Sequence, residues 1–340
     1  MKKKLFMLIS IMAILLVGTI LFIMINQNNN NEREKAKIQV ATSFYPTYIM
    51  TLNLVDQIDE IEVRSLTDFS AGCLHDYQLT TEDMKILSEA DVLIMNGGGM
   101  ETYIEDVINN YPDLGLINSS KGIPMLSGEE EEHDEEGEEE EEEEEHEHGP
   151  NPHVWLDPQL YITQIINARN GLVSYIQERA SIDETISDEI LNELVQKIES
   201  NAREYIRKVT DLDSEYVENL KRVQENASQS PKNNKVVIFH DSFEYIAARA
   251  GLEVAYTVEV EEDTALSAGE IAEVIDLIRQ EGIPYLFTEE QYGTDITQQI
   301  EKETDADVYV IDSGVTGDGT KDSYLNAMQN NLNTLQEAFR

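Results

Sequence analysis

Three histidines sit where a side chain can point into a cleft. His75 lies in FSAGCLHDY (residues 69–77), after a small-residue turn and directly before Asp76. His153 lies in NPHVWLDP (151–158) and His240 in VVIFHDSF (236–243). Each follows a strand end or a turn. They are far apart in sequence, so no local chelate loop links them. A fold that gathers them makes a three-histidine site, a donor set that suits Zn²⁺ among the common metals. One such histidine alone reads as an ordinary core or surface residue; three in matching contexts read as ligands. Asp76 and Asp241, each next to a histidine, are expected to cap the backbone or orient imidazole. Asp157 is expected to cap a helix opening at Pro158, since proline is favoured at the first helical position. Trp155 is expected in the core beside the cleft. Cys73 reads as a small buried residue, with an extra thiolate ligand as the alternative.

The elements that must position these residues follow from the chain in order. Its 340 residues allow two domains once the N-terminus is set aside. A net charge of −44 argues against nucleic acid as a partner and is compatible with a cationic ligand. The lone cysteine excludes an internal disulfide framework. Lys2, Lys3 and Lys4 precede an apolar run over residues 5–25. That is a positive flank followed by a segment of membrane-spanning length. Residues 1–25 are expected to be a signal anchor with the N-terminus in the cytoplasm, or a cleaved secretion signal. Either way the body is exported. Residues 26–37 are polar and read as a tether.

From Ile38 onward, apolar strands alternate with helical patterns. Strands are expected at 38–43, 61–66, 91–96 and 114–118. Helices are expected at 45–57, from Thr80 or Thr81 to 90, at 101–110 and at 158–176. Residues 188–224 carry a long helical pattern, bent near Asp211–Asp213. After a polar linker the alternation resumes, with strands at 235–240, 252–258, 285–288 and 307–311. Helices are expected at 242–250, 268–281, 294–304 and 321–339. The fold class is α/β: two lobes with mostly parallel sheets joined by one long backbone helix. The expected division is 38–185 for the N-terminal lobe, 186–228 for the linking helix and 233–340 for the C-terminal lobe. Within the first lobe, residues 129–148 hold fifteen glutamates, Asp134, Gly137, His133, His146 and His148. Such a stretch cannot bury a core. It reads as a solvated acidic spacer, or as a metal-collecting arm in which imidazole and carboxylate offer many weak sites.

Taken together, AGCLHDYQLT, NPHVWLDPQ, VVIFHDSFEYIA, the Glu/His insertion before His153, and FTEEQYGTDITQQIEKETDADVYVID are a specific set. Over residues 38–340 the chain resembles the metal-binding subunits of bacterial ABC importers for zinc and manganese, the cluster A-I solute-binding proteins. The resemblance implies metal held between two lobes, with His75, His153 and His240 as ligands. It places a fourth ligand, a second-lobe carboxylate, at Asp312 in VYVIDSG. Manganese members tend to carry glutamate at the position of His240, so the resemblance favours Zn²⁺ over Mn²⁺. It further implies an ABC permease in the membrane as partner, a monomer, and a binding protein rather than an enzyme. Two departures stand out. Leu16-Val17-Gly18 is followed by Thr19 rather than the cysteine of a lipoprotein box. The insertion is much richer in glutamate than in histidine.

Two rival functions remain open at this point. Three histidines and an open position also describe a zinc hydrolase. No HExxH-type motif supplies a general base, however, and a fourth protein ligand at Asp312 would close the site. The other rival is a metal buffer working through the acidic insertion alone.

Overall fold

The computed structural model describes residues 37–72, 74, 77–126, 149–182, 186–228, 234–258, 267–289 and 294–339. In chain order the elements are β1 (Ile38–Thr42), α1 (Tyr45–Leu54), β2 (Ile61–Ser65), α2 (Thr81–Glu89), β3 (Val92–Met95), α3 (Thr102–Ile108) and β4 (Gly115–Asn118). They continue with α4 (Pro158–Ile182), α5 (Asp188–Ser228), β5 (Lys235–Ile238), α6 (Glu244–Ala250) and β6 (Glu253–Thr257). The chain closes with α7 (Ala268–Glu281), β7 (Tyr285–Thr288), α8 (Thr294–Glu303), β8 (Asp307–Val310) and α9 (Ser323–Ala338). The expected anchor at 1–25, the insertion at 129–148, Cys73, His75 and Asp76 lie outside the described residues. No helix among the described residues is long and apolar enough to cross a membrane.

The strands form two parallel sheets, in the orders β2-β1-β3-β4 and β6-β5-β7-β8. The inner strands are nearly all apolar: Val92, Leu93 and Ile94 of β3, like Val236, Val237 and Ile238 of β5, are fully buried. Strands covered by helices on both faces read this way. The edge strand β2, IEVRS, alternates instead and leaves Glu62 exposed.

Helix starts obey local rules. Thr80 accepts from the Asp83 N–H at 3.3 Å, and the Asp83 carboxylate accepts from the Thr80 N–H at 2.7 Å, a reciprocal cap at the head of α2. The Asp157 carboxylate accepts from the Gln159 N–H at 2.8 Å, so it caps α4 as the sequence suggests. Helix α4 runs six residues past the expected end at Ile176. The added stretch, QERASI, has little to bury, and Ile182 is 85% exposed. Good helix formers carry it, together with an ion pair from Arg179 to Asp91.

Helix α5 has 41 residues, about 60 Å at 1.5 Å per residue. Leu194, Ile198, Ala202, Tyr205, Val209, Leu212, Tyr216, Leu220 and Val223 are buried along it, three or four residues apart. That single stripe is what an amphipathic helix presents to a core. The helix is unbroken through Asp211–Asp213. It packs on α1 and α4 in the first lobe and on α6 and α9 in the second. One apolar cluster runs from Ile38 through α4 and α5 to Phe339. Two satellite clusters cover the outer faces of the sheets. Across the lobes, Tyr161 stacks on Tyr324 at 3.8 Å and Tyr45 Oη bonds to Ser323 Oγ at 2.6 Å. A continuous core with these ties resists wide separation of the lobes, because opening would expose apolar surface.

Candidate metal centre

In both sheets the strand order reverses direction between the two central strands. The crevice beyond the carboxyl ends of those strands is where open α/β sheets bind ligands. In the second lobe that point lies between β5 and β7. Their register pairs Ile238 with Phe287, and the Phe239 N–H continues the ladder to the Phe287 carbonyl at 2.9 Å. Two residues on, the same register sets His240 beside Glu289. His240 caps a short 3₁₀ turn, Asp241–Phe243, and its Nδ1 accepts from the Ser242 N–H at 3.0 Å. That bond fixes the ring.

The first lobe contributes His153, at the head of a 3₁₀ turn over Val154–Leu156. Asn151 holds it. The Asn151 amide oxygen accepts from the His153 N–H at 3.1 Å and lies 2.8 Å from its Nδ1. Because the backbone N–H identifies that atom as an acceptor, Nδ1 carries the imidazole proton and Nε2 carries the lone pair. A metal-binding histidine is oriented in this way when its other nitrogen donates to a fixed acceptor. The Asn151 Nδ2 donates to the Asp241 carbonyl and to Glu244, both at 2.9 Å, and the Tyr245 hydroxyl donates to the Asn151 carbonyl at 2.7 Å. Burial pushes the Tyr245 phenol up to about 12, which keeps that donor protonated. The second lobe therefore grips the loop that carries His153.

The two imidazoles meet edge to face, ring centroids 5.0 Å apart. His153 is fully buried and His240 is 8% exposed. The Asp241 carboxylate lies 3.5 Å from His153 Nδ1 and 3.2 Å from His240 Nδ1. His153, His240 and Asp241 each offer a donor atom, and the three atoms lie within 4.8 Å of one another. Two imidazoles and a carboxylate fit a divalent ion of the zinc type better than a hard, all-oxygen ion.

The structure brings together His153 and His240. His75 lies outside the described residues; its neighbour Leu74 is fully buried, and the Leu74 carbonyl accepts from the Tyr77 N–H at 3.2 Å. Asp312 is not one of the three donors that lie within 4.8 Å of one another. Its Oδ1 accepts from the Gly314 N–H at 2.7 Å, and its backbone is held at both ends by Asn331. Glu289, which the sequence reading passed over, is 4% exposed. Its Oε1 is 3.9 Å from His240 Nδ1, and its Oε2 accepts from the Ser313 hydroxyl at 2.7 Å. The Ser313 carbonyl in turn accepts from Trp155 Nε1–H at 2.7 Å, and the Trp155 ring is 5.1 Å from that of His153. Both overlooked residues had a signal. Glu289 ends the run YLFTE as His240 ends VVIFH, and Asn151 is placed two residues before His153, where its side chain can reach back to the chain.

Residues 40–338 match the model of the family described as zinc-uptake complex component A, periplasmic. The zinc-binding protein AdcA of Streptococcus pyogenes serotype M3 is 25% identical over 99% of this chain. The chain spans 61% of that relative's length. The high-affinity zinc uptake system protein ZnuA of Bacillus subtilis is 25% identical over 89% of this chain and 88% of its own length. Among solved structures, the Zn(II)-bound ZnuA-like domain of Streptococcus pneumoniae AdcA superposes with a TM-score of 0.66, at 22% identity over 89% of this chain and 99% of that domain. The Mn²⁺ complex of FpvC from Pseudomonas aeruginosa superposes with a TM-score of 0.70, at 21% identity over 89% of this chain and 98% of its own. At these identities the superpositions speak for the two-lobed fold alone. The family match spans almost the whole of the described chain, and on that ground the protein belongs to the family of zinc-uptake complex component A.

Proposed function

We propose that this protein captures Zn²⁺ outside the cytoplasm, between its two lobes, and delivers it to a membrane permease of the ABC type. The observation that carries the reading is the buried pair His153 and His240, one from each lobe, with Asp241 within donor distance of both. His75 supplies the third imidazole and the second lobe a carboxylate, for which the sequence resemblance offers Asp312. Imidazole-rich sites favour Zn²⁺ over Mn²⁺, and the relatives named for zinc favour the same ion. The role is binding rather than catalysis, and the metal is cargo. The segment at 1–25, as an uncleaved anchor, would hold the lobes near the permease and raise their local concentration there.

Metal analysis of the purified protein, with Zn²⁺ and Mn²⁺ in competition, tests this reading. Stoichiometric Zn²⁺ that excess Mn²⁺ does not displace is the expected result. Affinity should fall as pH drops below about 6.5, because imidazole must be deprotonated to bind. Preference for Mn²⁺, or an affinity unchanged between pH 7.5 and pH 5, would overturn it.

A further inference from the structure

We infer that Arg249 is a positioning residue of the metal centre: from the last turn of α6 it holds the head of α4, and so sets the spacing of His153 and His240. This rests on the reading of the centre given above. Three observations carry it. The first is connection. Each histidine heads a 3₁₀ turn, His153 that of Val154–Leu156 and His240 that of Asp241–Phe243. The first turn runs through Asp157 into α4 at Pro158, and the second runs directly into α6 at Glu244. The distance between the imidazoles therefore depends on how α6 sits against the head of α4.

The second is a clamp. Tyr245 and Arg249 are four residues apart on α6 and share one face. The Tyr245 hydroxyl donates to the Asn151 carbonyl at 2.7 Å, two residues before His153. Arg249 Nη1 donates to Gln159 Oε1 at 2.8 Å and lies 3.6 Å from Asp157 Oδ1, four residues after His153. Helix α6 thus grips the His153 turn on both flanks. The third is burial with charge. Arg249 Nη2 donates to the Asp213 carboxylate on α5, the helix on which both lobes pack. The side chains of Arg249, Asp157 and Asp213 are 16%, 15% and 19% exposed. A planar guanidinium held between two such carboxylates keeps one geometry, because losing a partner leaves a buried charge uncompensated.

The test compares variants of this cluster with the unaltered protein. Arg249→Met keeps the aliphatic stem and removes the charge. Asp157→Asn removes the partner charge and keeps the cap of α4, since asparagine caps as well as aspartate. Arg179→Met is the control, because it breaks the ion pair to Asp91 at the other end of α4. Zn²⁺ affinity is read by chelator competition, and melting of the metal-free proteins reports the fold. Arg249→Met should weaken Zn²⁺ by ~10-fold, near the lower end of the loss typical for residues that orient ligands. Asp157→Asn should weaken it as well, and the double variant should lose little more than Arg249→Met alone, because both changes remove one contact. Arg179→Met should lower the melting temperature and leave Zn²⁺ affinity unchanged. Three results would overturn the inference: unaltered affinity in Arg249→Met, losses that multiply in the double variant, or an equal affinity loss in Arg179→Met, which would mark a general loosening of the fold. If Arg249→Met does not fold, Arg249→Lys reads the same question, because one ammonium keeps the charge but cannot span Gln159, Asp157 and Asp213 as the fork does. Weaker Zn²⁺ binding in a folded Arg249→Lys supports the inference, and unaltered binding overturns it. Insensitivity of Zn²⁺ binding to His153→Ala would remove the centre itself; sensitivity there with a silent Arg249→Met removes only the role of Arg249.

Discussion

The two sheets share one strand order, and each has a buried glutamate at the reversal between its central strands. The two carboxylates are partnered in opposite ways. In the first lobe Glu101, just before α3, reaches back to the loop after β3. It accepts from the Asn96 N–H at 2.6 Å and the Gly97 N–H at 2.9 Å. Gly97 has φ +84°, and a Cβ there would fall 2.2 Å from the Asn118 side chain, so only glycine brings that amide into place. In the second lobe Glu289 meets the imidazole of His240 and the hydroxyl of Ser313. Topology thus sets an acid in each crevice, and its partners decide what the acid does. Backbone amides consume Glu101 for architecture. Side chains, His240 and Ser313, partner Glu289 instead.

The contrast breaks most sharply at the histidines. His153→Ala and His240→Ala should each weaken Zn²⁺ binding by well over ~100-fold, more than the loss typical for a residue that merely orients a ligand. Both metal-free variants should keep their helical signal, because the continuous core supplies the fold without the site. Titration against a chelator of known affinity checks the first point, and circular dichroism the second. Binding within a few-fold of the unaltered protein would return either histidine to an ordinary core role.

A smaller effect is expected at Asn151. Asn151→Ala removes the acceptor beside His153 Nδ1 and the tie to Asp241 and Glu244 across the lobes. Zn²⁺ affinity should fall by ~10–100-fold. Asn151→Asp keeps an acceptor at that position and should recover most of it. Equal losses in both variants would mean that the amide donors, rather than the acceptor at Nδ1, hold the loop.

Much of this was legible in the chain, for physical reasons. Period-two and period-3.6 patterns located the strands and helices because parallel strands covered on both faces must be apolar and α5 must bury one stripe. His153 and His240 announced themselves by following apolar runs into turns. Glu289 was harder to see. The run YLFTE marks it as a strand end, but its place beside His240, 49 residues away in sequence, comes from the register between β5 and β7. Asp312 drew attention through the family pattern, while its bond to Gly314 is a turn geometry visible only in the fold. The extra turns of α4 escaped because they bury almost nothing, so apolar spacing carries no trace of them.

The smallest effect isolates the first-lobe acid. Burial pushes the Glu101 carboxyl up to about 7, and hydrogen bonds from Gly97, Ser43 and Asn96 offset only part of that. A carboxyl whose value is raised on folding binds its proton more tightly in the folded chain than in the unfolded one. Its contribution to stability is therefore full below the ordinary value of 4.5 and is lost as pH rises through about 7. The slope is at most about 1.4 kcal/mol per pH unit within that window. Metal loading is expected to run the other way, since imidazole must be deprotonated to bind. Denaturant unfolding of the metal-free protein at pH 5 and pH 8 should show this decline in the unaltered chain and a flatter profile in Glu101→Gln. At pH 8 Glu101→Gln should also cost about 1–3 kcal/mol, because its amide group turns a donor toward a backbone N–H, and it should leave Zn²⁺ affinity nearly unchanged. A matching pH slope in both proteins would mean that the two amides hold Glu101 ionised throughout. A large loss of Zn²⁺ affinity would mean that the first-lobe crevice reaches the metal through Asn96, whose Nδ2 donates to the Pro152 carbonyl at 2.9 Å, one residue before His153.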